Sequence, residues 1–186
     1  MTFREMKDSS RNLRFLEIFL RLSVLPLTIA SAFTVVETKD STDLYGKVVF
    51  TNVSGFKFLF SVNCISAPYA LISATLLMSL REDKTSSTWG FFLLDQLLAY
   101  LMVTSSSSAA ELLYLAHEGD REVSWSEVCS YFGNFCSKGK ASLVLHFLAL
   151  LCFICLSLIS AFRVFRNFEP PPVSAKGEGR QGNDAH

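Results

Sequence analysis

Charged side chains inside apolar stretches are the residues of this sequence with the clearest potential for chemistry. Asp95 stands near the start of a mostly apolar stretch at residues 91–115, and Arg21 stands inside another at residues 16–36. A charge in lipid is costly and needs a partner. Arg21 is about five residues and Asp95 about four residues into its stretch from the same side, which places both roughly 6–8 Å deep by helical rise. We therefore predict a structural ion pair between Arg21 and Asp95 that fixes the register of two helices.

Two other acidic residues, Glu17 and Glu111, lie in the same two apolar stretches. Glu17 precedes Arg21 by four residues, so the two share a helix face and could pair with each other. Glu111 follows Asp95 at a rotation of roughly 160°, so it points away from Asp95 and lies nearer the outer surface. It could contact His146 at similar depth, or be solvated at the lipid headgroups. A small transporter or channel subunit that uses Asp95 and Glu111 is the second functional interpretation.

Two of the five cysteines lie in the second predicted outer loop, and the other three lie in apolar stretches. Cys129 and Cys136 would be ~10 Å apart on an unbroken helix, too far for a disulfide. Gly133 between them could break the helix and bring them together, so a disulfide and two buried thiols both remain open. Cys152 and Cys155 form a C-x-x-C pair, but they lie in an apolar stretch without further ligands. We expect them to pack, and we expect no metal site.

Four apolar stretches must position these residues, at 16–36, 58–80, 91–115 and 141–162. Each has about the 20 residues that span ~30 Å of hydrocarbon as a helix. They are apolar nearly all round, whereas helices of a soluble bundle show a polar stripe. Half of the chain is hydrophobic and its mean hydropathy is +0.33. The sequence therefore predicts an all-α integral membrane protein with a four-transmembrane-helix bundle.

The connecting segments predict the topology. Four spans place both termini on one side, and that side carries ten Lys and Arg residues against six on the other. This excess favours cytosolic termini, with outer loops at 37–57 and 116–140. The tails would be 1–15 and a disordered 163–186. Ala30-Ser31-Ala32 looks like a signal-peptide cleavage site, but the apolar run continues to Val36, which favours an uncleaved first helix.

The outer loops contain two local signals. Asn52-Val53-Ser54 is a glycosylation sequon, although it abuts the second helix, where a transferase would reach it poorly. Ser124 and Glu127 form a capping box, which predicts a short helix through Trp125.

Catalytic and ligand-binding motifs give no functional assignment. The sequence has no Ser–His–Asp order, no HExxH and no glycine-rich phosphate loop. The formal net charge is zero, so composition gives no case for nucleic acid. We expect neither enzymatic activity nor a cofactor.

The sequence resembles the Casparian strip membrane protein family, in its broader CASP-like branch, which is related to the MARVEL four-helix proteins. The similarity runs from about residue 14 to residue 168. It rests on four segments: GFKFLFSVNCISAPYALIS, WGFFLLDQLLAYL, AAELLYLAHEGDREVSWSEVCSYFGNFC and LSLISAFRVF. Residues 37–50 do not match the first outer loop signature of the founding members.

The resemblance implies a plasma-membrane scaffold with four spans and cytosolic termini. Its signature residues correspond to Arg21, Asp95 and the paired cysteines Cys129 and Cys136, with Trp125 beside them. Founding members assemble into membrane platforms that exclude diffusion and guide local modification of the cell wall. The partners implied are the lipid bilayer, further copies of the chain, related CASP-like proteins and secreted wall-modifying enzymes.

Overall fold

The computed structural model describes residues 3–42, 46–79, 85–119 and 127–167. Four long helices dominate the described residues: α1 (Phe3–Val36), α2 (Ser54–Ser79), α3 (Thr85–Glu118) and α5 (Gly133–Asn167). A short helix, α4 (Val128–Tyr131), precedes α5. The first connection contains strands β1 (Lys39–Thr42) and β2 (Gly46–Val49) and a 3-10 turn at Phe50–Asn52.

Three of the long helices are long and apolar enough to cross a membrane, over Asn12–Val36, Ser54–Ser79 and Gly133–Phe165. Helix α3 is not among them. Its length is sufficient, but Asp95, Gln96, Glu111 and the run Thr104–Ser108 lower its hydropathy. The structure is therefore that of a helical membrane protein with three helices of this kind. The span predicted at 91–115 lies on α3, which is less apolar than these three.

The helices extend beyond the predicted apolar stretches. α1 begins at Phe3 and continues to Val36, and α5 continues to Asn167. We call the end of the bundle that holds Phe3 and Asn167 the inner end, and the opposite end the outer end. The tail predicted to be disordered lies outside the described residues from position 168 onward.

The four long helices pack side by side in a ring. α1 contacts α2 and α5, and α3 also contacts α2 and α5, so α1 faces α3 and α2 faces α5 across the centre. Gly55 allows α2 and α3 to approach closely, because a Cβ there would lie 3.2 Å from the Ser108 carbonyl oxygen and would overlap the Leu112 side chain. Gly139 plays the same part where α5 passes Phe56.

Two apolar clusters fill the interior at different depths. The middle core has its buried members on all four helices: Val24, Val62, Ala70, Leu98, Ala99, Met102, Ala149, Leu150, Phe153 and Leu156. The outer core lies nearer the outer end: Val35, Phe56, Leu59, Ala109, Leu113, Phe132, Phe135 and Cys136. The buried polar residues described below lie between and beside these cores.

The first connection is a hairpin, which the polar sequence of the predicted loop did not indicate. β1 and β2 pair antiparallel, with Lys39 opposite Val49 and Thr42 opposite Gly46. The hairpin lies at the outer end beside α5. At the same end, Nζ of Lys138 on α5 lies 3.4 Å from Oε2 of Glu37, the residue that follows α1.

Candidate functional site

Arg21 and Asp95 meet face to face in the interior of the bundle. Arg21 Nη1 donates to Asp95 Oδ1 at 3.0 Å, and Arg21 Nη2 donates to Oδ2 at 2.7 Å. Both side chains are completely buried. This two-point geometry suits the planar guanidinium and joins α1 to α3, which face each other across the ring.

The pair belongs to a larger ionic layer that also includes α5. Glu17 accepts from Arg21 at 3.2 Å through Oε1, and its Oε2 lies 2.6 Å from Nη2 of Arg163 on α5. The alternative Glu17–Arg21 pair therefore coexists with the Arg21–Asp95 pair. Two cations and two carboxylates make the layer neutral, which lowers the cost of burying each charge.

Neutral side chains complete the inner polar layer, as we call this set. Tyr69 donates its hydroxyl to Asp95 Oδ1 at 2.6 Å, and Ser160 donates to Oδ2 at 2.7 Å. Arg21 Nη1 also donates to Ser73 Oγ at 2.8 Å. With two donors on each oxygen, Asp95 has used its acceptor capacity inside the protein.

Two aromatic rings flank the Arg21 guanidinium. Its Cζ lies 5.7 Å from the ring centroid of Tyr69 and 5.5 Å from that of Phe91. Both distances are within the range of cation–π attraction. The rings also separate the ionic groups from the surroundings of the bundle.

A second polar layer lies closer to the outer end and contains no carboxylate, lysine or arginine side chain among its described members. His146 Nδ1 lies 2.8 Å from Asn63 Oδ1, and His146 Nε2 lies 2.9 Å from Ser105 Oγ. Asn63 donates to Ser31 Oγ at 2.9 Å. Ser31 and Ser142 exchange hydrogen bonds between hydroxyls and carbonyls at 3.0 Å. We call these five residues the outer polar layer.

Both ring nitrogens of His146 have hydrogen-bond partners. With the Asn63 amide nitrogen directed at Ser31, its oxygen faces the ring and can only accept, so Nδ1 donates to it. Nε2 lies 2.9 Å from Ser105 Oγ and 3.3 Å from the Met102 carbonyl oxygen, and the Ser105 hydroxyl also donates to that carbonyl. The imidazole therefore joins α5 to both α2 and α3.

Each layer connects one diagonal pair of helices directly. Arg21 and Asp95 join α1 to α3, whereas Asn63 and His146 join α2 to α5. On three helices the layer residues are ten positions apart: Arg21 and Ser31, Ser73 and Asn63, Asp95 and Ser105. That spacing corresponds to about 15 Å of helical rise, and the middle core fills the gap.

A disulfide joins Cys129 to Cys136 at the outer end. Their Cα atoms are 5.7 Å apart, because the chain breaks between α4 and α5 at Phe132. Gly133 is the first residue of α5 rather than the site of the break, and a Cβ there would meet nothing within 4 Å. Phe132, Phe135 and Cys136 are buried in the outer core, so the disulfide ties α4 to the end of the bundle.

The other predicted residues lie away from the layers or outside the described residues. Glu111 is exposed on α3, and His146 takes its partners from Asn63 and Ser105, so the alternative Glu111–His146 contact does not form. Asn52 is exposed directly before α2. Trp125 lies outside the described residues. Cys152 packs against the middle core, Cys155 is exposed, and both are free thiols.

No metal centre is present in the part of the chain that the structure describes. No group of three or more His, Cys, Asp or Glu side chains there could hold an ion. The acceptor capacity of Asp95 is taken by donors of the protein itself. The layers are therefore suited to holding helices together.

Sequence reasoning missed most members of the layers. Ser31, Ser73, Ser142 and Ser160 are buried partners, but small residues are common in membrane helices for packing alone. Tyr69 lies next to a proline, and Arg163 lies near the predicted membrane surface. Neither position indicated a buried polar partner. The ten-residue spacing of polar positions on three helices was the signal that could have found them.

Comparison with known proteins places the chain among plant membrane proteins. The model of the Casparian strip membrane protein domain matches residues 10–152. CASP-like protein 2D1 of Oryza sativa subsp. indica is 50% identical over 161 residues, covering 87% of this chain and 79% of the relative. CASP-like protein 2D1 of Sorghum bicolor is 46% identical over 178 residues, covering 94% and 98%.

A second subgroup is also similar. CASP-like protein 2A1 of Zea mays is 43% identical over 169 residues, which cover 91% of this chain and 79% of the relative. No solved structure matches. The match of the family model and the identity over most of the chain agree, and the chain belongs to the Casparian strip membrane protein family.

Proposed function

We propose that this protein is a four-span scaffold of the plant plasma membrane, with both termini in the cytosol. It associates with further copies of itself and with related CASP-like proteins into membrane platforms. Such platforms would organise local modification of the cell wall or form a barrier to diffusion. The observation that carries the proposal is the interior of the bundle, in which two polar layers connect all four helices.

The position of α3 supports its role as the fourth span. Asp95 belongs to the inner layer and Ser105 to the outer layer, about 15 Å apart by helical rise. The partner residues Arg21 and His146 lie on helices that meet the criterion for crossing a membrane. A helix bonded to them at both depths runs through the same bilayer, and its polar residues are largely satisfied inside the bundle.

The interior favours a scaffold over the alternative of a transporter subunit. An ion path needs a group that exchanges its partners with water or substrate, but both Asp95 oxygens are occupied by protein donors. Glu111 lies on the exposed side of α3, so it does not continue a path from Asp95. Between the two polar layers, every long helix contributes buried apolar side chains to the middle core, and the buried hydroxyl groups of Thr28 and Ser66 lie beside them.

Single-molecule tracking of the fluorescently tagged full chain in a plant plasma membrane tests the scaffold. We expect slow, confined diffusion, and co-purification of two differently tagged copies. The matched control is Cys155→Ala, which changes an exposed residue outside both layers and should diffuse like the unaltered protein. Free diffusion as monomers would contradict the proposal.

Solvent access separates the scaffold from the transporter. In the scaffold, cysteine introduced at Ala99 of the middle core should resist membrane-impermeant thiol reagents from both sides. Labelling at Ala99 in the folded protein, together with ion flux in proteoliposomes, would favour the transporter subunit instead.

A further inference from the structure

The lipid-facing sides of the four helices differ at the level of the outer polar layer. On α1 and α5 the exposed residues beside this layer are bulky and apolar, such as Ile29, Phe33, Val144 and Phe147. On α2 and α3 small and charged exposed residues stand beside bulky apolar ones, which are Phe58, Ile65 and Val103. The α2 face consists of Lys57, Ser61 and Cys64, and the α3 face of Thr104, Ser107 and Glu111.

The two faces correspond residue by residue in depth. Asn63 on α2 and Ser105 on α3 both bond to His146, so they mark one level in antiparallel helices. Lys57 is six residues from Asn63 toward the outer end, and Glu111 is six residues from Ser105 in the same direction. Both therefore lie about 9 Å beyond the outer layer.

The smaller residues follow the same correspondence. Ser61 and Ser107 are each two residues outward of the layer, and Cys64 and Thr104 are each one residue inward. The residues of each face recur at intervals of three and four, so each set lies on one side of its helix. Both sides point away from the ring, so no single copy can bring the two faces together.

The charges at the outer ends of the faces are opposite and unused. Lys57 and Glu111 are exposed, and neither forms an ion pair within the described residues. The hydroxyls of Ser61 and Thr104 donate to carbonyls of their own helices, but a carboxylate on a lipid-facing surface is poorly solvated by hydrocarbon. A neighbouring helix with small residues and a cation at the matching depth would cover them better than lipid does.

We infer that the α3 face of one copy docks against the α2 face of a second copy embedded in the same orientation, with Glu111 opposite Lys57. The inference rests on the proposed function and names the surface through which the scaffold associates with itself. Because the two faces differ, the contact is heterologous. One contact leaves the α2 face of one copy and the α3 face of the other free, so the contact propagates into a ring or an open array.

Cross-linking of the full chain tests which faces meet. The parent variant carries Cys152→Ala and Cys155→Ala, retains the Cys129–Cys136 disulfide and keeps Cys64 as the one free thiol. Thr104→Cys is added, and membranes are oxidised with copper phenanthroline. We expect dimers and higher multiples on a gel without reductant, because Cys64 of one copy meets position 104 of the next.

Two matched variants identify the partner of position 104. Replacing Cys64 by Ala in the Thr104→Cys protein should abolish the ladder. Placing the cysteine at Ile29 on α1, at nearly the same depth, should leave cross-linking at the parent level. Dimers that persist without Cys64 would show α3 meeting α3 and would overturn the inference.

Charge exchange tests the ionic contact independently. Glu111→Lys and Lys57→Glu should each lower co-purification of a second tagged copy about two- to five-fold, the range of a partly solvated ion pair. The double variant should restore it. If the charges are solvated by headgroups instead, all three variants co-purify equally and the inference fails.

The outcomes distinguish this inference from the proposed function. If copies of the unaltered chain co-purify but neither the cysteine pair nor the charge variants respond, the scaffold stands and the interface is elsewhere. If the unaltered chain yields only monomers, both proposals fail.

Discussion

The inner and outer polar layers connect the same four helices, but only the inner layer carries charge. The inner layer pairs Arg21 with Asp95 across one diagonal of the ring, and the outer layer pairs Asn63 with His146 across the other. A neutral hydrogen bond between membrane helices contributes modestly, because the separated helices also find partners. A buried ion that loses its partner is far more costly. The two layers should therefore respond very differently to the same kind of damage.

The largest expected effect is the loss of one inner charge. Asp95→Ala leaves Arg21 buried with Glu17 as its carboxylate partner, and Glu17 already pairs with Arg163. We expect the free energy of unfolding in mixed micelles to fall by about 3–5 kcal/mol, with loss of surface trafficking. The matched control is Gln96→Ala, which removes a neutral neighbour that bonds to Ser157. Normal assembly of the Asp95→Ala protein would show that the ion pair is dispensable.

Exchange of the two inner charges sharpens this test. Arg21→Asp with Asp95→Arg restores the pair itself, but it places the new Asp beside Glu17 and the new Arg beside the hydroxyls of Tyr69 and Ser160. We expect recovery of roughly half the lost stability, because only the direct pair is symmetric. Full recovery would mean that the surrounding donors are unimportant. No recovery would mean that the layer acts as an indivisible unit.

Damage to the outer layer should cost less. Asn63→Ala or His146→Ala removes the hydrogen bonds to two buried partners, and we expect a loss of about 1–2 kcal/mol in the same unfolding measurement. Replacing both by apolar residues of similar size, Asn63→Leu with His146→Phe, should be within about 1 kcal/mol of the unaltered protein. A double variant as damaged as Asp95→Ala would remove the distinction between the layers.

The Arg21–Asp95 pair could be predicted from the sequence more readily than the Asn63–His146 pair, for a physical reason. Arg21 and Asp95 are conspicuous because charges in apolar stretches are rare, and equal depth follows from counting residues along two helices. Asn63 was recognisable as polar, but Glu111 was the one partner that the sequence suggested for His146. The pairing of His146 with Asn63 depends on which helices face each other across the ring.

The outer end was predictable only in part. The seven-position separation of Cys129 and Cys136 excluded a disulfide on an unbroken helix, but it did not locate the break at Phe132. The reason is that Phe132 is buried in the outer core, so tertiary packing rather than local backbone preference determines the bend. The β hairpin has the same origin: its residues Lys39–Thr42 have little strand preference, and their pairing with β2 beside α5 defines it.

The smallest expected effect is the loss of Arg163, the more exposed of the two arginines in the inner layer. Arg163 pairs with Glu17 at 2.6 Å, but its side chain remains 34% exposed, whereas Arg21 is fully buried. Water and headgroups can therefore replace part of what Arg163→Gln removes, and we expect a loss of no more than about 1 kcal/mol, reduced further at high salt. Arg21→Gln is the matched comparison and should be several times more costly at any salt concentration. Equal losses would show that the exposed Arg163 contributes as much to stability as the buried Arg21. Glu17 would then depend on Arg163 as much as on Arg21.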